Sequence, residues 1–199
     1  FHRLVLDDLG LSQIPIYAPN QDFRLYKELN IVGARFSRLG WKAIVATDLL
    51  IKLLHEVRPY EVVSGRTETV YTESLHAVKR SIENGADNLP SILSQSVKQF
   101  MAVGRSGEKR PVVGVVGEIY IRSNRFSNFD LVRRIEEFGG QVWLAPITEW
   151  ILYVNYLSKK TARKKGGFSN LMNLFITDYI QKKEEHALEK LVTDYISYG

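Results

Sequence analysis

Two short apolar runs, with a loop and a helix between them, constrain this chain more than any other feature. Val112 to Val116 is rich in β-branched residues and too short for a stable helix, so it reads as a buried strand. Val142-Trp143-Leu144-Ala145 reads as the next strand, entered from Gly139-Gly140. A helix pattern opens at Asn128 and ends at those glycines. Such a strand–loop–helix–strand unit predicts a parallel pair, with its loop at the C-terminal edge of the sheet. Open α/β sheets bind ligands at that edge.

The loop is dense in polar side chains: Glu118, Arg122, Asn124, Arg125, Ser127 and Asn128. Glu149 and Trp150 follow the end of the second strand and would border the same crevice. Arg122 is the candidate for gripping an anionic group, helped by the N-terminus of the following helix. Asp130 works against that anion. Ser127 or Asn128 is expected to cap the helix. Glu118 suits a base, an acceptor for a ligand hydroxyl or amide, or a partner that locks Arg122 in place. Trp150 reads either as core or as a ligand platform. Gly114 and Gly117 lack the three-glycine dinucleotide fingerprint, and no P-loop signature is present. Gly114 inside a strand is expected to admit a closely packed helix.

The rest of the chain is mostly helical in pattern. Phe1 to Leu9 is a helix end stopped by Gly10, and Ile14-Pro15-Ile16-Tyr17 is a short strand. Phe23 to Leu29 is a short helix or turn. The longest helix runs from Phe36 to Val57, with Trp41, Ile44, Val45, Leu49, Leu53 and Leu54 on one face. Arg58-Pro59 ends it. Further helices span Thr67 to Asn84 and Pro90 to Val103. After Pro146 come helices from Glu149 to Lys165, Phe168 to Lys183 and Glu185 to Tyr198. The layout predicts an α/β fold with a small parallel sheet, a helical excursion over about 36–103 between its first and second strands, and a helical C-terminal end. The domain division is 1–157 and 158–199.

Composition removes several chemistries. The chain has no cysteine, which excludes disulfides, thiolate catalysis and any Cys-ligated zinc or iron–sulfur site within it. His2, His55, His76 and His186 form no metal-spaced pair. No apolar run approaches the ~18 residues of a membrane span, and no signal peptide is visible. Ser12, Ser37 and Ser64 have no triad partners at motif spacing. The formal charge of +5 is a mild signal. The basic run from Lys159 to Lys165 would suit phosphates, but it has little aromatic interleaving and reads as a solvated helix end. The chain opens at Phe1, without Met, as a piece of a longer protein would.

Gly117-Glu-Ile-Tyr-Ile-Arg-Ser-Asn-Arg-Phe-Ser-Asn128, with Val142-Trp-Leu-Ala-Pro146 and Glu149-Trp150, resembles the 2-hydroxyglutaryl-CoA dehydratase family. More narrowly it is similar to the dehydratase-like region of large CoA-substrate-specific enzyme activases. Leu4-Val-Leu-Asp-Asp-Leu-Gly10, Ile14-Pro-Ile, Asp48-Leu-Leu and Arg58-Pro-Tyr-Glu61, with Gly65 and Tyr71, fit the same proteins in the same order. The resemblance covers residues 1 to 157. It implies a Rossmann-like sheet in a cytoplasmic protein whose α/β domains hold a cysteine-ligated iron–sulfur cluster. An ATP-driven activator feeds single electrons to that cluster.

With no cysteine and no ATP-binding phosphate loop, this chain would hold no cofactor itself; the iron–sulfur cluster and ATP would belong to the parent. Its partners would be other domains of the parent and an acyl-CoA, without membrane or nucleic acid. Glu118, Arg122, Asn124, Ser127 and Asn128 would line the cleft, bordered by Glu149 and Trp150. The isolated chain would not be catalytic. The rival expectation is a non-catalytic scaffold that docks a partner chain, marked by exposed apolar surface between Glu149 and Tyr198.

Overall fold

The computed structural model describes residues 1–16, 33–165 and 168–197. The chain divides into two units, 1–37 and 38–199. In the first, α1 (His2–Asp8) is followed by Gly10 in the left-handed region at φ 72°. Arg3 donates to the carbonyls of Ser12 at 2.7 Å and Ile14 at 2.6 Å. Ile14-Pro15-Ile16 is irregular rather than a strand, which corrects the sequence expectation. Pro15 has no N–H to give a ladder, and Arg3 already holds the Ile14 carbonyl. Tyr17 and the helix or turn expected at Phe23 to Leu29 lie outside the described residues.

The second unit is built around α2 (Ala34–Val57) from Arg38 onward, and a 3₁₀ turn at Arg58–Tyr60 extends the helix. Trp41, Val45, Leu49, Leu53 and Leu54 are buried at helical spacing, as the periodicity predicts. Against them pack Val70 and Val78 of α3 (Arg66–Glu83), and Leu93, Val97 and Phe100 of α4 (Leu89–Met101). Leu188 and Val192, from the other end of the chain, complete this core. Phe100, Leu50 and Leu53 are fully buried, each contributing about 1.5–3 kcal/mol of transfer free energy.

Among the described residues the sheet has two strands, β1 (Val112–Val115) and β2 (Gln141–Leu144). They pair in parallel, Val112 opposite Gln141 and Val115 opposite Leu144, as the strand–loop–helix–strand reading requires. Between them lie α5 (Ile119–Ser123) and α6 (Leu131–Glu137). The loop is therefore partly helical, and the second helix starts at Leu131, later than the Asn128 expected. The fold is mixed α/β and mostly helical, and among the described residues α1 to α4 precede the sheet rather than interrupting it.

Two expectations for β1 need correction. It is not a buried strand, because Val113 is 38% exposed and Val116, just past its end, 72%. Among the described residues α6 packs against β2 rather than over β1. Nor does Gly114 admit a helix. A Cβ there would meet only Trp143 Cε3, at 3.9 Å, so an indole on the paired strand covers the glycine. The tight glycine is Gly140, where a Cβ would lie 2.7 Å from Ile135 Cγ2 and 3.1 Å from the Ile135 carbonyl oxygen. Gly140→Ala should destabilise by about 1–3 kcal/mol, read as a shifted midpoint in urea; an unchanged midpoint refutes the close approach.

The C-terminal end is a hairpin of α7 (Ile147–Lys165) and α8 (Phe168–Glu189), followed by a 3₁₀ turn at Thr193–Tyr195. Helix α7 runs unbroken through residues 157 and 158. The break expected between Lys183 and Glu185 is absent, because Lys182-Lys183-Glu184-Glu185 contains only good helix formers and no glycine or proline. Lys159 is also not solvated. Its side chain is 15% exposed and donates to Asp178 Oδ2 at 2.7 Å.

Candidate functional site at the sheet edge

The parallel pairing places the ends of β1 and β2 side by side, and Arg122 spans them. Its Nη1 donates to the Gly117 carbonyl at 2.8 Å and its Nη2 to the Pro146 carbonyl at 3.2 Å. Its Nε is buried without a partner. These carbonyls lie just beyond the two strand ends, so the guanidinium clips the edge together. It does not pair with Glu118, the partner considered from sequence.

The other loop residues serve each other. Glu118 is exposed, and its Oε2 accepts from Ile121 N–H at 2.9 Å, capping α5. Asn124 Oδ1 accepts from Ser127 N–H at 3.0 Å. Asn128 donates to the carbonyls of Ile121 and Arg122, and its Oδ1 accepts from Leu131 N–H at 3.2 Å. It thus ties the end of α5 to the start of α6. Arg125 grips Asp130 through two bonds of 3.1 and 2.7 Å, which holds Asp130 well below the usual carboxylate range. Phe129 and Asp130 both sit at positive φ, 54° and 55°. Such non-glycine backbone costs on the order of 1–3 kcal/mol each, and the Arg125 clamp offsets part of it. Three phenylalanines stand out around this loop, Phe126, Phe129 and Phe138, exposed by 91, 74 and 92%.

Glu149 is exposed in the first turn of α7, and Trp150 is half-buried beside it. Neither hydrogen-bonds the loop. The anion-friendly N-terminus of α7 is already filled from inside. Asp48, on α2, accepts from Thr148 N–H at 2.8 Å and is almost fully buried. Burial pushes its carboxyl above the usual range, while the bonds from Thr148 and Ile147 pull the other way. The structure therefore gathers Glu118, Arg122, Asn124, Ser127 and Asn128 into one self-bonded loop, with Glu149 and Trp150 beyond the turn that Arg122 touches.

A second cluster escaped sequence reasoning. Arg58, at the end of α2, makes two parallel bonds of 2.8 Å to Glu136 of α6, and both side chains are 7% exposed. Its Nη1 also reaches Glu68 Oε2 at 3.0 Å, which Arg133 contacts at 2.7 Å. Tyr60 donates to Gln141 Oε1 at 2.7 Å, and Glu61 accepts from Gly65 and Thr67 N–H, holding the start of α3. Arg58-Pro-Tyr-Glu61 therefore joins the helical core to the sheet. Its only sequence signal was the clustering of distinctive residues, since its partners lie up to 81 positions away. A cavity of about 20 Å³ beside His55, Gln141 and Val142 has room for one water.

Among the described residues no group of three His, Cys, Asp or Glu could hold a metal ion. With no cysteine in the chain, the residues present do not fit an iron–sulfur cluster. The chain matches no protein-family model, no curated protein and no solved structure.

Proposed function

We propose that this chain is a Rossmann-like, dehydratase-like domain of a larger cytoplasmic CoA-linked enzyme of the 2-hydroxyglutaryl-CoA dehydratase type, supplying one wall of a cleft. The observation that carries this is the parallel β1–β2 pair, with Arg122 spanning both strand ends at the edge where α/β folds bind ligands. The resemblance of Gly117 to Asn128 falls on this loop. The exposed Val113 on one face of β1 supports half a site, since parallel sheets are ordinarily covered on both faces. In this reading the cluster and its ATP-driven reduction belong to other domains, and acyl-CoA approaches the edge near Arg122, Glu149 and Trp150. Among the described residues no helix is long and apolar enough to cross a membrane.

Arg122 then positions the edge. In the full-length protein, Arg122→Ala should lower stability by about 1–3 kcal/mol, because two carbonyls lose a charged donor. Acyl-CoA-dependent turnover should fall by at least about tenfold in the protein that remains folded. Arg122→Lys should recover part of the stability but little turnover, since an ammonium cannot span both carbonyls in one plane. Melting curves and turnover on both variants test this, and intact turnover in Arg122→Ala would sink the reading.

A second reading, a non-catalytic scaffold that docks a partner chain, is favoured by the outward apolar residues of α8. Met172, Ile176 and Tyr179 are exposed by 46, 51 and 67%.

A further inference from the structure

The second helix of the C-terminal hairpin turns an apolar arc outward. On α8, Asp178 and Gln181 face inward and are buried, with Leu188 below them. Gln181 accepts from Asn155 at 2.7 Å, and its carbonyl accepts from Trp41 Nε1 at 3.0 Å. Met172, Phe175, Ile176 and Tyr179, spaced by three and four, share the opposite, exposed arc. Helix α7 does this in part: Ile151 and Leu152 pack on the core and Thr148, Asn155 and Ser158 are buried, while Tyr153 and Tyr156 are exposed by 56 and 55%. Amphipathic helices of a complete domain turn the other way, so this face is made to be covered.

Charge narrows what covers it. Seven of the 27 Lys and Arg, but one of the 22 Asp and Glu, lie between Trp150 and Lys183. That stretch carries a formal +6, while Glu149, Glu184, Glu185 and Glu189 at the outer ends of the two helices bring the whole hairpin to +2. The one acid of the stretch, Asp178, is buried and already met by Lys159 at 2.7 Å and Lys182 at 3.4 Å. Lys160, Arg163 and Lys164 continue the exposed stripe of Tyr153 and Tyr156 along α7. Arg163 lies 5.5 Å from the centre of the Phe175 ring, with Lys159 at 5.4 Å, so the basic stripe and the apolar arc adjoin.

We propose that this face docks an acidic protein surface: a helix or domain presenting carboxylates around an apolar ridge. The proposal rests on the reading of the chain as part of a larger assembly and names the chemistry of the neighbour. A second copy of the chain would bring two of these basic stripes together, and repulsion between like charges disfavours it. Met172 and Ile176, at the centre of the arc, offer no ring for a base to stack on, and the Phe175 ring is engaged by Lys159 and Arg163, which favours an apolar protein ridge over single-stranded nucleic acid. Tyrosine, methionine and arginine around an apolar centre are the composition of protein–protein interface cores.

The test uses a designed amphipathic peptide of about 18 residues, with Leu and Phe at positions i, i+3, i+4 and i+7 and Glu on its flanks, titrated by fluorescence anisotropy. Binding should weaken about tenfold between low and high salt. It should fall about tenfold or more in Ile176→Asp and in the Lys160→Glu/Lys164→Glu pair. All three positions are exposed, so folding, checked by circular dichroism, should persist. The same peptide with Lys for Glu should not bind.

Several results overturn the proposal: equal binding of the two peptides, indifference to both variants, or no binding of the acidic peptide. Binding confined to vesicles of phosphatidylcholine and phosphatidylserine would assign the face to a lipid surface instead. Binding confined to oligothymidylate would assign it to nucleic acid. None of these outcomes bears on the Arg122 turnover test, so the two readings fail separately.

Discussion

Arg58→Ala should cost about 3–5 kcal/mol of stability, the usual penalty for stranding the partner of a buried ion pair. Glu136 would be left at 7% exposure with both of its Arg58 bonds gone, and its carboxyl, which burial already pushes up, would lose the guanidinium that holds it down. Glu68 would retain only Arg133. Small domains are stable by about 5–15 kcal/mol, so the variant should sit near its unfolding threshold at room temperature. The informative companion is Arg58→Met with Glu136→Leu. Replacing both charges with apolar side chains of similar size removes the desolvation penalty along with the attraction, and should recover most of the loss. Denaturant midpoints for the single and double variants decide the matter. A loss below about 1 kcal/mol in Arg58→Ala would mean that the pair is not the joint described above.

Acid should unfold the protein through His55. Burial, then the nearby guanidiniums of Arg58 and Arg133, push its imidazole down to about 3. In the unfolded chain it titrates near 6.5. The unfolded state therefore binds a proton that the folded state refuses between those two values. The contribution is fully present above pH ~6.5 and is lost as pH falls, by about 1.4 kcal/mol per unit and on the order of 5 kcal/mol by pH 3. Asp48 runs the other way. Its raised pKa means the folded state takes up a proton first on acidification, which offsets a share of the His55 loss. His55→Leu should flatten stability against pH by nearly one proton between pH 6.5 and 4, in urea titrations at several pH values. Parallel curves for the two proteins would exclude His55 as the acid-sensitive group.

Legibility in the sequence followed how local the cause was. The long helix, the parallel pair and the glycine stop after α6 rest on spacings within a few residues, and they read correctly. The candidate loop was legible as a cluster, because Glu118 through Asn128 are adjacent. What each side chain does was not. Arg122 reaches Pro146, 24 residues on, and Asp48 caps a helix 100 residues away. The helix break after Lys183 was read where the residues contain no breaker. The basic run from Lys159 gave no hint of the aromatics beside it, because Phe175 sits on the next helix and meets Lys159 and Arg163 only after the hairpin closes. The inverted α8 shows why periodicity alone misleads: its apolar arc is real, but it faces out.

One hydrogen bond also dictates an order of events at birth. Trp41 Nε1 donates to the Gln181 carbonyl, 140 residues later in the chain. At synthesis rates of about 5–20 residues per second, that acceptor leaves the ribosome roughly 7–30 s after the donor. Leu188 and Val192, which finish the packing on α2, emerge later still. The central helix is therefore made well before the segments that seal it. Until they emerge its apolar flank is open to whatever else is in the cell, and the turn around Leu188 and Val192 acts as the closing stitch.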